Sequence, residues 1–545
     1  MKSIIRNLML VSAAVLLLSA CDTDKLEITQ RGSNTTDEYV TADDDGVRQF
    51  IAAIYSKIRG GGFTYYMGTG TCHYGIIYDL GCMAQEYADQ WEYSGTSQTT
   101  NYSMTWSYYY QIIYWCNMLI EWMPSNNVAT ESVKDRIVAE ARAIRAIMMM
   151  QLVMLWGNPP LADHLMMGTE GNTDGSESLD WIQSELAEVA EDLPSKSSAS
   201  GQEAIGGRLT KEAVYAYLGK AYLYDQEYTL AASTLYSKVI STGLYSLVSD
   251  FSDINTSAID FSAENMWEYD FTEEASLSSS QDGMWDVTVF GGISPSYVYV
   301  PEGFYTGTCW AMGGYCSEEF GAFMDEHDVD ADGNKSARYR GTLAAYEDLL
   351  DETVYTYSDS SQKGIKYSVS DCQGYFKIRH QTMEDDVTGT FPYAFNCRNV
   401  VYMRYAEVLL NYAEAIAQGG TASSMSALEA VNLVRTRAGL SSLTSLSLDD
   451  VKDERRAELY DEGQRFIDLV RWGDAASELA DCGKYSYTFA GYNDGDNTTM
   501  QTKSDWYVIA AATVGNGFVS GKHELFPYPE DELANNDAIE QNPGW

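Results

Sequence analysis

The chain has 545 residues, of which 45% are hydrophobic, 21% charged and only 10 are Pro, so it folds around a sizeable core and is neither a disordered chain nor a Pro-rich linker array. Against 79 Asp and Glu stand 35 Lys and Arg, a net charge of −44, and a field of that sign excludes phosphate backbones and anionic headgroups as binding partners. Aromatic residues reach 13%, with 41 Tyr leading, a surplus of amphipathic rings over core needs that points to a binding surface.

In chain order the first element is an address. Lys2 and Arg6 precede the apolar stretch Leu8 to Leu18, the layout of a secretory leader and too short for a bilayer, which needs about 20 residues. Leu18-Ser19-Ala20-Cys21 resembles the lipobox of bacterial lipoprotein precursors, which implies that residues 1–20 are removed and Cys21 is acylated. Asp22 and Asp24 resemble the acidic signal that sends such proteins to the cell surface, and residues 21–42 read as the lipidated linker.

Residues 43–242 read as a helical part. The periodicity predicts helices over Gln49–Arg59, Trp106–Trp122, Val133–Trp156, Ser178–Leu193, Thr210–Tyr224 and Thr229–Ile240. Val133–Trp156 is apolar on two faces, which requires it to be sandwiched, and the last two form a pair at tetratricopeptide spacing. Between Phe63 and Trp122 aromatics run at about twice the chain's 13%. The rings of Trp106–Trp122 are read as core, whereas Trp91 and Tyr93 sit in a loop stretch beside Glu86, Asp89 and Glu92. Rings with polar neighbours suit sugars, whose C–H faces stack while their hydroxyls take hydrogen bonds.

Residues 243–400 lose the helical period, and an irregular segment of that length inside a folded protein is usually functional. A second aromatic window lies here and contains Trp285, Tyr297 and Trp310. Asp328-Val329-Asp330-Ala331-Asp332-Gly333 matches the start of a calcium loop, but position twelve is Tyr339 where a bidentate Glu belongs. Two readings stay open, a structural calcium ligated by Asp328, Asp330 and Asp332, or a solvated acidic turn. Besides Cys21 the chain has eight cysteines, which allow 105 pairings, and none is assigned.

Residues 401–545 return to helix at Tyr402–Gln418, Met425–Ala438 and Asp450–Trp472, followed by a loop-rich tail. In the last helix Asp461 and Arg465 are an i,i+4 pair, and Glu454, Glu458 and Glu462 stack three carboxylates at helical spacing, read as structural rather than acid–base groups.

The motifs Arg404-Tyr405-Ala406-Glu407-Val408-Leu409-Leu410, Asn432 to Leu440 and Glu454 to Trp472 resemble the C-terminal half of the SusD-like (RagB/SusD) outer-membrane nutrient-binding lipoproteins. Ala139-Glu140-Ala141-Arg142 through Gly157-Asn158-Pro159-Pro160-Leu161 resembles their N-terminal helix and turn, and Phe526-Pro527-Tyr528-Pro529 with Gln541-Asn542-Pro543-Gly544-Trp545 their tail. The resemblance implies a mostly α fold of tetratricopeptide-like helix pairs, forming one compact unit from 43 to 545 with a loop-rich ligand face. It implies a lipid-anchored protein at the outer membrane, facing the exterior, that captures oligosaccharide and passes it to a SusC-like TonB-dependent transporter without chemistry or a required cofactor. The family's ligand site maps here to Trp91, Tyr93, Trp285, Tyr297 and Trp310. The rival readings are a surface glycoside hydrolase, which needs a pair of Asp or Glu about 5–10 Å apart, and the same transport role with a peptide or other non-sugar nutrient.

Overall fold

In the computed structural model the described residues are 41–59, 96–98, 100–199, 207–270, 299–304, 318–330, 332–345, 347–359, 375–379, 383–388, 395–460, 462–480, 485–490, 507–513 and 517–545. Helix α3 (Glu131–Trp156) is the axis of the N-terminal half and packs against α1 (Asp44–Arg59), α2 (Thr100–Trp122) and α4 (Gly175–Val189). Its two apolar faces explain this, since Ile137, Ala141, Ile144, Met148 and Leu152 on one and Ala139, Ala143, Ala146 and Met150 on the other are all buried. It ends at Gly157, whose φ of 76° belongs to the left-handed region and whose added Cβ would lie 2.8 Å from Leu525.

Helices α5 (Lys211–Tyr224) and α6 (Tyr228–Lys238) form the expected pair, drawn together where Gly219 admits the side chain of Leu235. Both pack on α9 (Tyr405–Ala417), which in turn carries α10 (Ala427–Arg437) and α11 (Leu448–Glu458). Capping boxes start the latter two, Ser426 with Glu429 and Ser447 with Asp450. The succession of helix pairs is the tetratricopeptide-like scaffold that the sequence implies.

Two elements differ from expectation. Tyr402 does not open a helix: β2 (Val400–Arg404) runs antiparallel to β1 (Asn265–Tyr269), pairing Asn265 with Arg404 and Tyr269 with Val400, and α9 starts only at Tyr405. The strand is hidden in a stretch too short to show an alternating period. The predicted helix 450–472 is two helices, α11 and α12 (Arg465–Trp472), because Gly463 between them takes a φ of 71° that no helical residue has. Arg465 reaches Glu478 at 3.2 Å, and its predicted partner Asp461 lies outside the described residues.

The tail ties the two halves together. The Phe526 N–H donates to the Leu155 carbonyl at 2.8 Å, the Trp156 indole N–H to the Pro527 carbonyl at 2.9 Å, and the Asn542 amide to the Trp156 and Phe526 carbonyls at 2.9 and 2.7 Å. These bonds satisfy the last carbonyls of α3, so the tail motif completes a helix end. Among the described residues no helix is long and apolar enough to cross a membrane.

Candidate functional site

The five predicted ring residues, Trp91, Tyr93, Trp285, Tyr297 and Trp310, lie outside the described residues, as does Cys21. What the structure describes is where their segments are rooted. The segment with Trp91 and Tyr93 leaves the end of α1, where the Tyr108 hydroxyl donates to the Ile58 carbonyl, and rejoins at Ser97, whose carbonyl accepts from the Glu530 N–H at 2.9 Å. The segment with Trp285 and Tyr297 leaves the end of β1 at Asp270. The segment with Trp310 leaves Phe304, which bridges to Met383, and re-enters at α7 (Glu318–His327).

A cleft of about 520 Å³ lies beside one of these roots, between α1, Gly207–Arg208 and the end of β1, and Arg48, Tyr55, Arg208, Glu268 and Asp270 are among the residues that line it. Beneath it Glu140, fully buried, accepts from the Tyr55 hydroxyl at 2.7 Å and from the guanidinium groups of Arg136 and Arg208. This is the role of the Glu in the Ala139-Glu140-Ala141-Arg142 motif. Burial also pushes the Glu268 carboxyl upward and that of Asp260 up to about 7.

Under the central region the C-terminal motifs build a buried ionic lattice. Arg338, at the start of α8 (Ala337–Thr342), meets Asp328 at 2.7 Å, Glu454 at 2.6 Å and Glu458 at 3.1 Å. Arg404 meets Glu264 at 2.5 Å, Glu458 at 3.0 Å and Glu462 at 2.5 Å. Arg437 bridges Glu264 at 2.9 Å and Glu458, Arg435 joins Glu454 at 2.9 Å, and Arg379 joins Glu462. Five arginines thus face Asp328, Glu264, Glu454, Glu458 and Glu462, so the buried charges balance. Burial pushes the Glu458 carboxyl up, but Arg437, Arg404 and Arg338 outweigh it and hold the group at about 2. A second cluster, Lys220–Glu407 and Arg455–Asp468 at 2.7 and 2.9 Å, continues it under α9.

This lattice settles what the stacked carboxylates do. Glu454 and Glu458 are wholly buried, Glu462 is bound to two arginines, and a carboxyl held at about 2 cannot act as a general acid near neutral pH. Sequence spacing alone read these charges as one face of a long helix and missed that they are a core. The available signal was the recurrence of Arg or Glu in three separate C-terminal motifs.

The lattice also occupies the first residue of the calcium-like turn. Asp328 is fully buried, its carboxylate takes the Arg338 guanidinium and the Ser336 hydroxyl, and Arg338 holds its pKa low despite burial. Asp330 accepts from the backbone N–H groups of Asp332 and Asn334 at 2.9 and 2.8 Å, and Asp332 is exposed. Asp328 would have to leave Arg338 to ligate a cation. Among the described residues no three His, Cys, Asp or Glu side chains converge to hold a metal ion.

Trp106–Trp122, read as core, is core on one side only. Trp106 is buried at the floor of a cleft, but Tyr114 at the same cleft is 51% exposed, and Trp115, outside the cleft, is partly so.

Comparison with known proteins places this architecture. The model of the SusD family matches residues 276–545, and a model described as starch-binding associating with outer membrane matches residues 69–223. A SusD-like protein of Bacteroides ovatus is 22% identical over 98% of this chain and 97% of its own length. The solved structure of a laminarin binding SusD-like protein is 24% identical and covers 92% of this chain and 100% of its own, with a TM-score of 0.69. Surface glycan-binding protein A from Bacteroides thetaiotaomicron, in complex with laminarihexaose, is 20% identical at the same coverage and TM-score. With both halves matched in order and the shared fold continuous between them, the chain belongs to the SusD family.

Proposed function

We propose that this protein captures oligosaccharide at the outer surface of the cell and delivers it to a SusC-like TonB-dependent transporter, while acylated Cys21 holds it to the outer membrane. The observation that carries the reading is the fold shared over 92% of the chain with proteins whose names specify laminarin and laminarihexaose as ligands. The acidic balance agrees with a neutral ligand, and the buried pairing of Glu454, Glu458 and Glu462 removes one set of carboxylates from the hydrolase reading. Trp91, Tyr93, Trp285, Tyr297 and Trp310 supply the stacking faces in this proposal, because rings beside hydrogen-bonding groups fit pyranoses.

The test is calorimetric titration of the chain from residue 21 onward with laminarihexaose, maltohexaose and a mixed peptide digest, together with an assay for new reducing ends. Saturable glycan binding without new reducing ends supports the reading; cleavage replaces it with the hydrolase, and binding of peptide alone changes the nutrient class. Metabolic labelling with a clickable fatty acid tests the anchor. Wild type is expected to take the label and Cys21→Ala to lose both label and membrane retention, so an unlabelled wild type overturns the anchor.

A further inference from the structure

A second cleft, of about 300 Å³, lies between one face of α2, the segment from Pro160 to Gly168, and the C-terminal helix α13 (Glu530–Asn535). That volume is at the lower end for ligand sites and suits one sugar ring rather than a chain. Its walls are fixed by bonds within the protein. The Tyr110 hydroxyl donates to the Pro160 carbonyl at 2.7 Å, the Asn117 amide to the Ala162 and His164 carbonyls at 3.1 and 2.6 Å, and the Asn536 amide to the Glu170 carbonyl at 2.8 Å. Those groups are spent on holding the cleft open.

Other groups lining it have no partner among the described residues: the hydroxyls of Ser107 and Tyr114 and the amide of Asn535. Glu532 is half-buried beside Trp106 in this lining, and desolvation raises its pKa. The Tyr110 ring, 4.6 Å from that of Trp106, and the exposed ring of Tyr114 supply the aromatic surface. Rings beside unspent hydroxyl, amide and carboxyl groups are what a pyranose requires, and Glu532 within so acidic a chain disfavours a phosphorylated or uronate ligand.

We propose that this cleft is a second saccharide site, taking one neutral pyranose ring at a chain end or branch, separate from the rings of the loop segments. The choice of a saccharide rests on the proposed function; the location and size of the site do not.

The test is hydrogen–deuterium exchange on the chain from residue 21 onward with glucose, galactose, mannose and laminarihexaose as probes, each at millimolar excess. At least one probe is expected to protect the amides of residues 106–117 and 530–539. Tyr114→Ala should weaken that protection about tenfold in concentration, and Tyr114→Phe, which keeps the ring face, by about threefold or less. Both Tyr114 and Asn535 are exposed, so Asn535→Ala serves as a second variant that preserves the fold, expected to weaken the same protection. Protection confined to residues 60–95 and 271–317 overturns the cleft site and leaves the proposed function standing. Protection of the cleft alone supports the site and moves capture away from the loop segments, whereas protection of neither region by any probe overturns both.

Discussion

The two halves of the scaffold are held by different physics. Around α3 the core is mainly apolar and aromatic, with Glu140 and its two arginines as a local exception: Ile144, Leu152 and Trp156 are fully buried, and Trp156 makes edge contacts with Trp106 and Phe526 at 5.3 Å. Around α11 the core is ionic, with Glu458 shared among three arginines drawn from α8, β2 and α10. An apolar core accepts any well-shaped partner, whereas a carboxylate shared by three guanidinium groups fixes which segments meet and at what angle. The difference explains how the central region is joined to the helices: Glu264, Asp328, Arg338 and Arg379 all come from it, and each ends on a lattice partner. Beside the apolar half, by contrast, rings such as Tyr114 are left free at the edge of a cleft.

Breaking one core and then the other tests this contrast. The largest effect is expected from Glu458→Ala, which takes one carboxylate partner from each of three buried arginines and leaves the lattice one negative charge short; loss of one partner from a buried ionic cluster costs about 3–5 kcal/mol. Leu152→Ala in the apolar core is expected to cost about 2–5 kcal/mol through lost transfer energy and a cavity. Chemical denaturation checks both values. The two should separate under acid. Glu458 is depressed in the folded state to about 2, so its contribution is complete above the unfolded carboxylate range, near 4.3, and is lost as pH falls toward 2. Wild type and Leu152→Ala should therefore lose stability steeply across that window, and Glu458→Gln should lose less. Equal slopes in all three would show that the lattice does not set acid stability.

The same contrast marks what sequence reading can reach. Helices α3, α5 and α9 are legible because burial on one or two faces imposes a period on neighbouring residues. The lattice is not legible, because Arg338 and Glu454 are 116 positions apart and spacing within Glu454–Glu462 is the same for a solvated face and for a buried one. Gly463 was visible in the sequence, yet the apolar pattern on either side of it read through as one helix. The tail motif was recognisable as a pattern, but that it caps α3 depends on side-chain amides meeting carbonyls nearly 400 positions away. For the ligand site, ring composition and family likeness select residues, whereas the cleft beside α2 depends on which face of an aromatic helix is covered.

A smaller effect is expected where rings do the binding. Replacing Trp91 or Trp285 by Ala should leave stability within about 0.5 kcal/mol of wild type if these rings serve the ligand and not the core. Glycan affinity should then fall about tenfold, equivalent to about 1.4 kcal/mol, for each ring that stacks on a sugar. A variant that melts early while its affinity is unchanged would reassign that ring to packing. Calorimetry and thermal melts on the same samples separate the two outcomes.

The smallest effect is expected from calcium. The turn from Asp328 to Asp332 has the spacing of a calcium loop, but its first carboxylate belongs to the ionic core: Asp328 is buried against Arg338, and its exchange for a cation would leave that guanidinium with only Glu454 and Glu458. Asp330 already accepts two backbone N–H groups and the Asn334 amide, which close the turn without a metal. A ligand that binds only the folded state raises stability by RT ln(1 + [L]/Kd), so even a site of millimolar affinity would register at saturating calcium. The expected melting temperature is the same in chelator and in calcium, and Asp332→Asn, which removes an exposed carboxylate, should not change either value. A rise with calcium that Asp332→Asn abolishes would show that the turn opens to take a cation and that Asp328 moves between Arg338 and the metal.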